Sequence, residues 1–208
     1  MQTSKPTHRP ILEVGRSCWR IEHAGRTSCL IDGEAYFCAF REVAKQAQHA
    51  IIVLGWDFDS RIKMLPDGES DGFPTCIGEF FHTLLARQRG LHIYVLTWDY
   101  HMVYALEREW WPVYKLGTHR RLHFKMDDIH PAGASHHQKV VVVDDTVAFS
   151  GGLDFAQCRW DTPEHQPDLP QRVFPDGRPC RPFHDVQMVV SGWMDSTSGS
   201  DRRCPERA

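Results

Sequence analysis

Between Glu34 and Ala50 apolar residues recur as Phe37, Phe40, Val43, Ala44 and Ala47, and this stripe predicts an amphipathic helix. The run Ile51 to Leu54 is short, β-branched and closed by Gly55, which predicts a strand covered on both faces. The pattern then repeats. Glu79 to Gln88 predicts a helix with Phe80, Phe81, Leu84 and Leu85 inward and Gly90 as its stop, followed by a strand over Leu91 to Thr97. Met102 to Trp110 reads as helix, ending before Pro112, and Arg121 to Lys125 as strand. An order β-α-β-α-β predicts an α/β fold: a mixed, mainly parallel sheet flanked by helices on both faces, with functional groups at the carboxyl ends of its strands.

The second half of the chain changes character. Lys139 to Val143 and Thr146 to Ser150 are apolar runs around Asp144 and Asp145, a hairpin pattern with no helical crossover. Glu164 to Pro182 carries five prolines (167, 170, 175, 179, 182), which predicts an irregular excursion before a last strand over Asp185 to Val190. The expected organisation is an N-terminal segment (1–30), one catalytic unit (31–190) and a disordered tail (191–208) rich in Ser, Gly, Asp and Arg.

Composition narrows this picture. With 208 residues, 41% of them apolar, the chain suffices for one substantial core and not for two ordinary domains. Lys and Arg number 24 against 27 Asp and Glu, a formal charge of -3, so no global positive field favours a nucleic-acid partner. The basic run Lys115, His119, Arg120, Arg121, His123 and Lys125 reads as a solvated surface or as the lining of an anionic site. Seven cysteines include no C-x-x-C pair, and Cys29 and Cys38 are expected to be ordinary thiols in a reducing compartment. Met1 to Pro10 has no apolar stretch behind it, and no run approaches the length of a membrane span. A cytoplasmic location is expected, with any membrane contact peripheral.

The candidate chemistry lies at the start of the hairpin. His137 and Lys139 are two apart, so on a strand beginning at or before His137 they share a face. A neutral imidazole can attack phosphorus, and a neighbouring ammonium balances charge on the phosphoryl oxygens. Asp144 sits at the predicted corner, where aspartate also serves simply as a turn residue. Gly151 and Gly152 let a backbone come close to a ligand, and Asp154 and His136 complete the candidate binding set. His136 and His137 with Asp144 and Asp145 also raise the question of a metal, but adjacent histidines on a strand face opposite ways, so neither metal nor cofactor is expected. Trp56, Trp98, Trp110 and Trp111 read as core and rim aromatics.

The string His137-x-Lys139-x4-Asp144-x6-Gly151-Gly152-x-Asp154 resembles the HKD motif of the phospholipase D superfamily, H-x-K-x4-D-x6-G-G-x-N, with Asp in the last place. His136 and Gln138, and Arg159, Trp160 and Asp161, look like the branch containing the eukaryotic-type enzymes, in which Asp commonly fills that place. Gly55, Trp56 and Asp57, and His184 with Asp185, extend the likeness from about Tyr36 to Val190. The resemblance implies two such histidines, one from each half of a pseudo-symmetric molecule. One attacks phosphorus to form a phosphohistidine and the other protonates the leaving alcohol. It also implies that Asp185 orients a histidine, by analogy one in the other half.

One motif is present where the two-motif members have two, and the sequence resembles their first half. The expectation is therefore phospholipase D-like cleavage of a glycerophospholipid head group, with the second motif supplied by a homodimer partner or by another half. A nuclease, a cardiolipin-synthase-like phosphatidyltransferase and a catalytically silent fragment stand as alternatives. Should His137 lack such a partner, His184 and His130 are the next candidates for the general acid.

Overall fold

A computed structural model describes residues 10–99, 119–131 and 134–192. Seven strands, β1 (Arg26–Ile31), β2 (Ala50–Gly55), β3 (His92–Trp98), β4 (Leu122–Asp127), β5 (Val140–Val143), β6 (Val147–Gly151) and β7 (Val186–Ser191), form one sheet. Among the described residues helices α1 (Asp32–Ala44) and α2 (Ile77–Arg87) accompany it, and the strand order is β1-β7-β6-β5-β2-β3-β4. The α/β class and the mixed sheet are as expected from the sequence. The balance within the sheet differs: only β2–β3 and β3–β4 are parallel, and the other four pairings are antiparallel. The reason is local, since short links such as Asp144–Thr146 make hairpins, whereas a parallel pair needs a long crossover.

Register explains where the core sits. Val189, Phe149, Val141, Val53, Val95 and Phe124 are successive partners across the sheet and therefore share one face. Phe40 of α1 packs on Phe149 at 6.3 Å, and Phe81 of α2 stacks on Phe58, which meets Phe124. Both described helices thus cover the same face, and the helix predicted over Met102–Trp110 lies outside the described residues. Phe80, Phe81, Leu84 and Leu85 are buried, as their spacing predicts.

β1 falls in the segment read as N-terminal to the catalytic unit. It is a polar, almost wholly exposed edge strand, antiparallel to β7, so the sequence offers no apolar alternation to reveal it. The cysteine reading is corrected as well. Cys158 and Cys180 form a disulfide, and Cys38 is disulfide-bonded, whereas Cys29 is free. Spacing alone could not disclose the Cys158–Cys180 pair, because its members stand 22 positions apart along a proline-rich stretch. Arg121 of the basic run donates to the carbonyls of Leu85, Gln88 and Leu91, capping α2 where the helix dipole favours a cation.

Candidate active site

β5 runs antiparallel to β2, with Val140 opposite Leu54, so the residues just before β5 emerge beside the carboxyl end of β2. The end of β6 and the start of β7 arrive at the same edge, with Gly151 opposite Gln187. His137, Lys139, Gly151, Gly152, Asp154 and Asp185 are therefore brought together by topology.

Lys139 is only 8% exposed. Its Nζ lies 3.2 Å from Asp154 Oδ2 and donates to the carbonyl of His137 at 3.3 Å. Asp154 Oδ1 accepts the backbone N–H of Trp56 at 3.0 Å, and Gly55 leaves it room: a Cβ there would stand 3.0 Å from the same oxygen. Burial pushes the Asp154 carboxyl above its ordinary range, and the Lys139 charge works against that rise without cancelling it. The His137 ring is exposed and meets Trp56 edge-on at 6.2 Å. Since β5 begins only at Val140, strand alternation does not by itself aim His137. The carbonyl bond from Lys139 ties the two residues together.

An aromatic and imidazole rim borders this edge. Trp56 stacks on Trp98 at 5.9 Å, Trp98 Nε1 donates to His130 Nε2 at 2.9 Å, and His136 Nδ1 lies 3.0 Å from Asp127 Oδ2. The carbonyls of Pro131 and Asp99 raise the His130 pKa. Neutral, that ring accepts from Trp98; protonated, its Nε2 donates to Asp99 O, 3.1 Å away.

Three sequence expectations change in meaning. Asp144 stands five residues from Lys139, roughly 16 Å along a strand, at the opposite end of β5. There its carboxylate accepts the N–H groups of Gln48, His49 and Ala50 at 2.7, 2.9 and 2.8 Å, fastening the hairpin turn to the start of β2. The structure does not bring it to His137. The open sides of Gly151 and Gly152 face protein: a Cβ on Gly152 would lie 2.0 Å from the Asp185 carboxylate, and one on Gly151 2.3 Å from Val186 O. These glycines admit the entrance of β7, and through it Asp185, to the edge. Asp185 is half-buried and accepts Val186 N–H at 2.8 Å.

A second polar group was not foreseen. Asp161 is fully buried and accepts from Arg172 Nη1 (2.7 Å), Phe183 N (2.8 Å) and Thr162 N (2.8 Å). Burial would raise its pKa, but these bonds and His165 outweigh that and hold the carboxyl below its usual range. Beyond it, Asp32, His165 and His184 meet, joining residues more than 130 positions apart in the chain. Of the three, the sequence singled out His184 alone, within the likeness around Asp185 and as a further candidate for the general acid.

No family model matches the chain. Among curated proteins it is 26% identical over 138 residues to phospholipase D B of Dictyostelium discoideum, covering 65% of this chain and 11% of that protein. Phospholipase D C of the same organism is 32% identical over 136 residues, covering 63% and 8%. Phospholipase D alpha 1 of Vigna unguiculata is 25% identical over 195 residues, covering 70% and 24%. The chain thus spans about a tenth to a quarter of the length of such relatives. Among solved structures, NucT from Helicobacter pylori aligns with a TM-score of 0.49 at 10% identity, over 80% of this chain and 85% of that one. Nuc from Salmonella typhimurium, described as a phospholipase D family member, aligns with 0.45 at 12%, over 80% and 84%.

Proposed function

From the premise that this chain is related to the phospholipase D superfamily over the region shared with these relatives, we propose that it is one half of a phosphodiesterase site acting on a glycerophospholipid. The observation that supports this most is that the buried Lys139 ammonium donates to the backbone carbonyl of His137, whose side chain is exposed, at the edge where strand ends converge. In this reading a His137 ring nitrogen attacks phosphorus, an N–P bond forms and the O–P bond to the head-group alcohol breaks. Lys139, with one of its three hydrogens on the His137 carbonyl and a second facing Asp154 Oδ2, keeps one donor for a phosphoryl oxygen. The departing alkoxide takes a proton from a histidine of a second motif, on a homodimer partner or another half. Water then displaces the nitrogen, and the proton returns to that histidine.

Asp185 is the residue proposed to orient that second histidine, because Gly152 holds its carboxylate at the shared edge. Trp56, Trp98 and Ile129, the last 81% exposed, offer apolar contact to a substrate met at a bilayer surface. No helix among the described residues is long and apolar enough to cross a membrane, and contact from the side is proposed. The test compares release of labelled choline from phosphatidylcholine vesicles with cleavage of labelled DNA, by wild type and by His137→Asn. Choline release lost in the variant is expected. DNA cleavage alone would support a nuclease, and activity unchanged in the variant would remove His137 from the chemistry.

A further inference from the structure

One side edge of the sheet is open. β1 hydrogen-bonds to β7, and among the described residues no strand pairs with its other side. The Asp32 N–H donates to the carbonyl of Asp185, which faces it across the ladder, at 2.9 Å. Bonded pairs alternate in an antiparallel ladder, so Leu30, Ser28 and Arg26 also turn their backbone groups toward β7. The N–H and C=O groups of Thr27, Cys29 and Ile31 therefore point outward. We propose that this edge pairs antiparallel with β1 of a second copy of the chain, about a two-fold axis at Cys29.

Three features support a second strand there. The first is the lack of protection. Proteins blunt exposed strand edges with lysine, proline, a bulge or an inward charge. The opposite edge of the sheet, β4, carries the exposed Lys125. By contrast Thr27 to Ile31 holds no charge and no proline, and its register with β7 runs without a bulge. The second is the neighbouring side chains. Ser28 partners Val189 on the core face, so Thr27, Cys29 and Ile31 lie on the other face, beside Val190, Met188 and Val186. There Ile31, Val186 and Met188 are 41%, 38% and 47% exposed, and the apolar strip adjoins the open backbone groups. The third is self-complementarity. With Cys29 opposite its own copy, Thr27 meets Ile31 of the other copy, a β-branched pair suited to strands, and the two Arg26 residues stand at opposite ends.

Such a two-fold axis turns the His137 edge of the second copy to the opposite end of the joined sheet. The contact therefore does not complete the phosphodiesterase site, and it stands or falls apart from the function proposed above. A single pair of strands buries less than the roughly 1,200 Å² of a stable complex, so the dimer is weak, with dissociation in the micromolar range.

Charge at position 29 tests the axis. Sedimentation velocity on the full chain, from about 1 to 300 μM, is expected to show a monomer–dimer equilibrium. In Cys29→Lys, and separately in Cys29→Asp, like charges meet at the axis, and association is expected to weaken about tenfold or more. Cys29 is exposed, so the circular dichroism and urea midpoint of both variants should match wild type. An equimolar mixture of the two should dimerise again, which a general loss of structure would not produce. Residues opposite each other in a bonded pair have Cα atoms about 5.5 Å apart, within the span of a disulfide. Diamide oxidation of wild-type chain should therefore link Cys29 to Cys29 of the second copy, located by peptide mass mapping, a readout that needs no variant to fold. A chain monomeric throughout this range, charged variants that associate as well as wild type, a mixture that stays monomeric, or a diamide dimer joined through Cys18 or Cys76 in place of Cys29 would each overturn the proposal.

Discussion

Asp144 and Asp154 belong to the same motif, yet their surroundings push them in opposite directions. Burial alone would raise Asp144, but the N–H groups of Ala50, Gln48 and His49 outweigh it and lower its pKa from 3.8. A carboxyl lowered in the folded state contributes stability that is complete above its unfolded value and is lost as pH falls through the folded one. Urea unfolding followed from about pH 6 to 3 should therefore show a smaller acid loss in Asp144→Asn than in wild type. Asp144→Ala, which leaves three backbone donors without a partner, is expected to cost about 1 to 3 kcal/mol. Asp154 has the reverse sign: burial raises it, so its contribution is greatest below the unfolded value and falls as pH rises through the folded one. The sequence disclosed Asp144 both as a motif residue and as a turn residue. Only the strand between it and Lys139 decides that it acts as an anchor, because five residues at strand rise carry it out of reach.

At the scale of elements, Phe40 joins α1 to the rest of the core, touching Phe80 and Phe81 of α2, Phe149 of β6 and Phe155. Phe40→Ala is expected to lower the unfolding free energy by about 3 to 5 kcal/mol, read from the urea midpoint at constant slope. Gly152→Ala tests the meeting of β6 and β7. Its Cβ would fall 2.0 Å from the Asp185 carboxylate, so stability should drop by about 1 to 3 kcal/mol and Asp185 should lose its place at the edge. Both described helices were legible because their buried faces recur at helical spacing, as Phe37, Phe40 and Ala44 do on α1. β1 was not, because an edge strand satisfied by backbone pairing to β7 requires no apolar alternation. The preponderance of antiparallel pairs was half legible. The β5–β6 hairpin announced itself through Asp144 and Asp145, both at positive φ, but the return of β7 to β6 and β1 depends on the long excursion between them.

At the scale of the molecule, the excursion over 158–180 is closed by a disulfide and by the buried pair of Arg172 with Asp161. Removal of this disulfide by Cys180→Ser should lower stability by about 2 to 4 kcal/mol, seen as a lower urea midpoint, and dithiothreitol, which also reduces the disulfide of Cys38, should lower the midpoint at least as far. In the proposed reading one motif histidine would supply a nucleophile but no acid for the leaving group, so turnover of an unactivated diester is expected only when a second motif is present. The central claim, that His137 is the nucleophile of half a site, is tested most directly with bis(4-nitrophenyl) phosphate, whose leaving group departs without a proton. Stopped-flow absorbance on the chain alone should show a burst of one nitrophenolate per chain, then slow release, with acid-labile phosphate on His137 and no burst in His137→Asn. No burst in the wild type, or a burst of equal size in His137→Asn, would contradict it.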